Sequence, residues 1–121
     1  MKLADLMAAA DQSFPNFEFE IEREGQEPVT VVFRNVLRLS KERREKLMEF
    51  RAEAANGDSL TQQAEAEKAG LSLVVENESD IELVEDLFAQ TPDDRDALWV
   101  ELSRVYGEET EMGEAEPSQQ P

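Results

Sequence analysis

The chain of 121 residues contains neither cysteine nor histidine. Without cysteine it can form neither a disulfide framework nor a thiolate metal site. Without histidine it lacks the side chain that most often serves as general base or transition-metal ligand. No hydrolase or lysine-dyad pattern surrounds Ser40 or Ser103, and the five glycines are too scattered for a phosphate-binding loop. We therefore expect a protein that is not an enzyme, with no catalytic residue, metal site or cofactor.

Long apolar segments are also missing. No run of eighteen apolar residues occurs, and the opening MKLADLMAAADQ lacks the apolar core of a signal peptide. The sequence predicts a soluble, cytoplasmic protein.

Positive charge is scarce and unevenly placed. The chain has 29 acidic and 12 basic residues, and residues 76–121 hold fifteen of the acids against Arg95 and Arg104. Such a surface repels nucleic acids and anionic membranes, so we expect neither as a partner. Seven of the twelve basic residues lie at 33–51, with acidic residues interleaved. We expect this basic cluster to be an internal counter-charge to the acidic C-terminal helices.

The N-terminal third predicts a short helix followed by a β-hairpin. Within residues 2–12 one narrow apolar stripe has helical spacing, and Pro15 lies just beyond it. Residues 17–23 alternate apolar and acidic side chains, and residues 29–33 are rich in β-branched ones, which is typical of paired strands. Gly25 is the residue best suited to a positive φ in the connection.

The remainder predicts helices. The first is residues 41–55, with Ser40 as its N-cap and a buried face that consists of Leu47, Phe50 and Ala54. Further helices are predicted at 58–77, at 79–90 and from Thr91 to Gly107, although alternation at 71–77 leaves a strand open there.

Together these elements define the fold class as mainly α with a small N-terminal β-hairpin (α+β). Residues 1–107 form the single predicted domain. The polar, glutamate-rich residues 108–121 predict a disordered acidic tail.

The aromatic residues suggest a binding surface, because so small a helical set cannot easily bury them all. We expect a partner to bind residues of the hairpin and the last helix, namely Phe17, Phe19, Phe33, Trp99, Leu102 and Tyr106.

In their order and spacing, several segments resemble a known family. These are FPNFEFEIE at 14–22, VTVVFRNVLRLSKERREKL at 29–47, LWVELSRVYGEET at 98–110 and a GEA tail at 113–115. The arrangement is similar to that of tail assembly chaperones of long-tailed, siphovirus-type phages that infect actinobacteria. A more strand-like segment at 71–77 departs from the family pattern.

The resemblance implies a chaperone that binds the tape-measure protein and keeps it soluble while the tail assembles. It also implies self-association, contact with tail tube subunits and a longer form made by programmed frameshifting. The chain would act in the host cytoplasm and be absent from the mature virion. Two alternative functions stay open. The chain could be a structural tail or head–tail connector subunit, or it could be an acidic mimic of DNA.

Overall fold

The computed structural model describes residues 1–119, with side chains described for residues 1–110. Its elements in chain order are α1 (Leu3–Ser13), β1 (Phe17–Arg23), β2 (Gln26–Phe33), a 3-10 turn (Val36–Arg38), α2 (Lys41–Ala55), α3 (Leu60–Val74), α4 (Ser79–Ala89) and α5 (Arg95–Gln119). This order confirms the predicted fold class, in which a short helix and a two-stranded antiparallel hairpin precede four helices.

The first strand of the hairpin has its predicted bounds, whereas the second begins three residues earlier than the predicted 29–33, which makes the connection tighter. Phe17 pairs with Phe33 and Ile21 with Val29, and the register becomes irregular between Ile21 and Arg23. β2 begins at Gln26, so the connection is two residues long and not the five that were predicted. Gly25 has φ +72°, the left-handed conformation that the turn needs and that glycine adopts without steric cost.

The outer edge of β2 is closed by the segment that follows α3. Val75 forms an isolated antiparallel bridge with Phe33. The N–H of Arg34 donates to the carbonyl of Val74, and the N–H of Glu76 donates to the carbonyl of Val32, both at 2.8 Å. The predicted helix at 58–77 is therefore too long, because α3 ends at Val74 and the extended chain then forms a single β-bridge at Val75.

α2 and α3 pack as a close antiparallel pair. The Ser40 hydroxyl accepts a hydrogen bond from the N–H of Arg43 at 3.2 Å, which confirms it as the N-cap of α2. Leu47 and Ala54 are buried as predicted, whereas Phe50 is only half-buried. Gly70 of α3 permits the close approach, since a Cβ there would lie 3.1 Å from Leu47 Cδ1.

α5 differs from the predicted last helix at both ends. It starts at Arg95 and continues through Gly107, where the sequence predicted its end. Thr110 is buried, and its hydroxyl donates to the carbonyl of Tyr106 at 2.8 Å. The packed domain therefore extends at least to Thr110, and the predicted disordered tail cannot begin at residue 108. For residues 111–121 that prediction lies outside the described side chains.

One apolar core joins the hairpin, the 3-10 turn and α2–α5. Its most deeply buried side chains come from both halves of the chain, and they are Val31, Phe33, Leu71, Val74, Val84, Trp99 and Tyr106. α1 contributes no buried residue to this core.

Candidate interaction surface

The structure buries four of the six residues predicted to bind a partner. Trp99 and Tyr106 are about 2% and 1% exposed, Phe33 is fully buried, and Leu102 is also in the core. The expectation that these side chains form an uncovered face is therefore wrong. The two remaining predicted residues, Phe17 and Phe19, are half-buried and pack against the same core.

The aromatic residues are buried because hairpin and helices cover one another. Phe33 and Tyr106 meet edge to face with ring centroids 6.2 Å apart, and Phe17 stacks on Phe33 at 6.1 Å. Phe88 of α4 meets Trp99 edge to face at 5.1 Å. Such pairs are worth about 0.5–1.5 kcal/mol each beyond burial of their area. The cover that the hairpin needs therefore comes from α4 and α5 of the same chain.

The polar atoms of the two largest aromatic residues are also satisfied internally. The Tyr106 hydroxyl donates to the carbonyl of Arg34 at 2.6 Å. The Trp99 indole N–H donates to Glu85 at 2.5 Å, and the Glu85 carboxylate also lies 3.1 Å from Arg95 and 3.6 Å from Lys68. Tyr106 therefore joins α5 to the hairpin and the segment that follows it, and Trp99 joins α5 to α4.

Three of the exposed large apolar residues lie together on α1, whereas Met48 of α2 and Leu60 of α3 are isolated in the sequence. Leu3, Leu6 and Met7 are 72%, 56% and 51% exposed, and they share one face of the helix. Phe14, just after the helix, is also exposed. The sequence contained this signal as the narrow stripe at 2–12, but a stripe does not indicate whether the fold covers it. We call Leu3, Leu6 and Met7 the α1 stripe.

α1 is attached to the domain through polar contacts near its C-terminal end. The Asp11 carboxylate pairs with the Arg38 guanidinium at 2.5 Å. Just beyond the helix, the Asn16 side chain accepts from the N–H of Asn35, and the Asn35 amide donates to the carbonyl of Pro15, both at 2.9 Å. These contacts fix the position of α1 and leave the α1 stripe uncovered.

Arginines of the predicted basic cluster lie beside this attachment. Arg38 contacts Asp11 of α1, Arg43 donates to the carbonyl of Leu73 in α3 at 2.9 Å, and Lys46 lies 3.7 Å from Glu49 within α2. The sequence predicted that the basic cluster is a counter-charge to the acidic C-terminal helices. These three residues make other contacts and do not have that role.

Two depressions adjoin each other on the surface, and one of them lies against α1. A groove of about 510 Å³ runs between α1 and β2, and its apolar lining consists of Met7, Pro15 and Val32. A cleft of about 350 Å³ next to it is lined by Arg34, Arg38, Leu39, Ser40, Arg43, Val75 and Glu76. We call the first the α1 groove and the second the arginine cleft. Arg34, Arg38 and Glu76 border both.

Comparisons of the chain with protein-family models, curated proteins and solved structures return no match. Among the described residues, no group of three or more acidic side chains is arranged to hold a metal ion. No helix of that part of the chain combines the length and the apolar character needed to cross a membrane. The surface formed by the α1 stripe, the α1 groove and the arginine cleft is therefore the candidate on which a function is argued.

Proposed function

We propose that this chain is a tail assembly chaperone of a long-tailed phage, which binds the tape-measure protein and keeps it soluble until the tail tube polymerises around it. The order of the segments at 14–22, 29–47 and 98–110 supports the proposal through resemblance. The observation that carries it is the uncovered α1 stripe. We place the partner contact there and no longer on the buried aromatic residues.

The α1 stripe suits a helical partner. A tape-measure protein is a long helix, and an amphipathic helix packs its apolar face against another apolar surface through residues at helical spacing. Burying a leucine or methionine side chain is worth about 1.5–3 kcal/mol. The three residues of the stripe therefore give only a modest affinity per copy. Copies that also associate with one another along the partner gain the avidity that a single copy lacks.

The acidic surface suits the same role. With a net charge of −17, copies bound along a tape-measure protein make the complex highly charged, and high net charge opposes aggregation. In this proposal the chain is not an enzyme. It acts in the host cytoplasm, associates with further copies and with its frameshifted longer form, and hands the partner to tail tube subunits.

Co-expression with the tape-measure protein of the same phage tests the proposal. We expect the tape-measure protein to be insoluble alone and soluble with this chain, in a complex with many copies of the chain per partner. Light scattering after size-exclusion chromatography measures that ratio. Failure to solubilise the partner, with the chain eluting alone, would contradict the proposal. Abundance of the chain in purified virions would favour the alternative of a structural tail subunit.

A matched pair of methionines tests the α1 stripe as the contact. Met7 and Met48 are 51% and 45% exposed, and only Met7 belongs to α1. Met7→Gln should reduce the yield of soluble tape-measure protein, and the triple variant Leu3→Gln, Leu6→Gln, Met7→Gln should abolish it. Met48→Gln should have no effect. Equal yields from the triple variant and the wild type would remove the α1 stripe from the proposal.

A further inference from the structure

Three arginines and one glutamate are the charged residues that line the arginine cleft. Arg34, Arg38 and Arg43 line it together with Glu76. This is a local excess of positive charge in a protein whose net charge is −17. An arginine that lines such a cleft is stabilised by a hydrogen-bond or ion-pair partner.

Two of the three arginines already have such partners. Arg38, whose side chain is 10% exposed, pairs with Asp11, and Arg43 donates to the carbonyl of Leu73. Arg34 differs. Its N–H and carbonyl are fixed by Val74 and Tyr106, but within the described part of the chain its guanidinium makes no hydrogen bond or ion pair. Among the residues whose side chains are described, Arg34 is therefore held at its backbone while its guanidinium has no partner.

The Asp11–Arg38 pair indicates which chemistry the cleft accepts, because a carboxylate from the otherwise exposed α1 already binds at its border. We propose that the arginine cleft binds one carboxylate of a polypeptide partner, with Arg34 as its main ligand, while apolar side chains next to that carboxylate occupy the α1 groove. Arginine suits this role because its planar fork forms paired hydrogen bonds with a carboxylate. The inference rests on the proposed function only for the identity of the polypeptide.

The charges around the cleft favour a single carboxylate over a polyanion. Asp11, Glu18 and Glu76 line the α1 groove through which a longer ligand would pass. A nucleic acid would bring one phosphate after another against these carboxylates, at a cost that grows with each charge. An isolated glutamate or aspartate among apolar residues brings only one negative charge. The apolar lining from Met7, Pro15 and Val32 accommodates the apolar residues next to it in the partner.

A pair of synthetic peptides tests the inference. The probe is a capped alanine-rich helix with leucines at i, i+3 and i+7 and one glutamate at i+4, and its twin has glutamine in place of the glutamate. Binding is followed by two-dimensional NMR on the full chain. We expect the glutamate peptide to bind about fivefold tighter than its twin and to shift the Arg34 side-chain signal.

Two variants provide the comparison. Arg34→Gln should bind both peptides equally, whereas Arg44→Gln should keep the preference, since Arg44 is exposed on α2 outside the cleft. Three results would overturn the inference. These are equal or undetectable binding of the two peptides by the wild type, an unchanged preference in Arg34→Gln, and tighter binding of inorganic phosphate or of a single-stranded oligonucleotide at the same signals.

Failure of this inference is distinguishable from failure of the proposed function. If the two peptides bind equally while the wild type still solubilises the tape-measure protein, the carboxylate site is refuted and the chaperone proposal stands. If the glutamate preference is found and depends on Arg34, but the tape-measure protein stays insoluble, the chaperone proposal is refuted and the carboxylate site stands.

Discussion

Replacing Tyr106 separates a core role from the exposed role that the sequence predicted. In Tyr106→Phe the ring keeps its edge-to-face contacts with Phe17 and Phe33, but the hydrogen bond to the Arg34 carbonyl is lost. An unsatisfied buried acceptor costs about 1–3 kcal/mol. In a domain of this size that corresponds to a fall in Tm of roughly 4–12 °C. Tyr106→Ala also removes the ring and should cost about 3–5 kcal/mol.

Urea unfolding followed by circular dichroism measures both variants. The midpoint should fall in each, with an unchanged dependence on urea concentration. Phe14→Ala is the matched control, because Phe14 is 41% exposed, and it should stay within about 0.5 kcal/mol of the wild type. If both Tyr106 variants unfold at the same urea midpoint as the wild type, the buried position of Tyr106 is refuted and an exposed position is supported. A loss in Tyr106→Ala alone would show that the hydroxyl contributes nothing.

Three further substitutions test local features of the fold. Phe50→Ala should cost less than the roughly 3–5 kcal/mol of a fully buried phenylalanine, because Phe50 is half-buried beneath Lys46; a loss in that range by urea unfolding would contradict this. Ser40→Ala should cost about 1 kcal/mol by removing the cap on the Arg43 N–H, and an unchanged thermal midpoint would exclude the capping bond. Gly25→Ala should cost about 1–2 kcal/mol because of the positive φ, with Gly25→Asn less affected; equal stability of Gly25→Ala and wild type would refute the left-handed turn.

The elements with strong local signals were predictable from the sequence. The hairpin follows from the two-residue alternation at 17–23, and Gly25 follows from the need for a positive φ. Ser40 as the N-cap of α2 follows from hydrogen-bonding chemistry within a single turn. Such features depend on residues close together in the chain, so no knowledge of the tertiary fold is needed to predict them.

The end of the domain was not predicted, because one glycine was given too much weight. Gly107 costs a helix about 1 kcal/mol relative to alanine, which a packed helix can tolerate. Leu102, Tyr106 and Thr110 recur at a spacing of four and continue the buried face of α5 past the glycine. This periodicity was a usable signal, but the high glutamate content from residue 108 obscured it.

The location of the exposed apolar face, where we propose that the partner binds, depended on tertiary packing. An apolar stripe on a helix predicts that this face is buried against another surface. The sequence does not indicate whether that surface belongs to the same chain. Trp99 and Tyr106 find their cover in the hairpin and α4, while Leu3 and Leu6 of α1 find none. The bond from the Arg34 N–H to Val74, which helps to shape the arginine cleft, likewise joins residues far apart in the sequence.

Hydrogen exchange of the free chain and of its complex with the tape-measure protein tests the central claim most directly. An uncovered helix of eleven residues exchanges fast when nothing packs on it. We predict that amide exchange across α1 slows at least tenfold in the complex, while the already protected core of α3 and α5 changes little. Unchanged exchange across α1 in a complex that has demonstrably formed would contradict the claim that this helix is the surface that binds the partner.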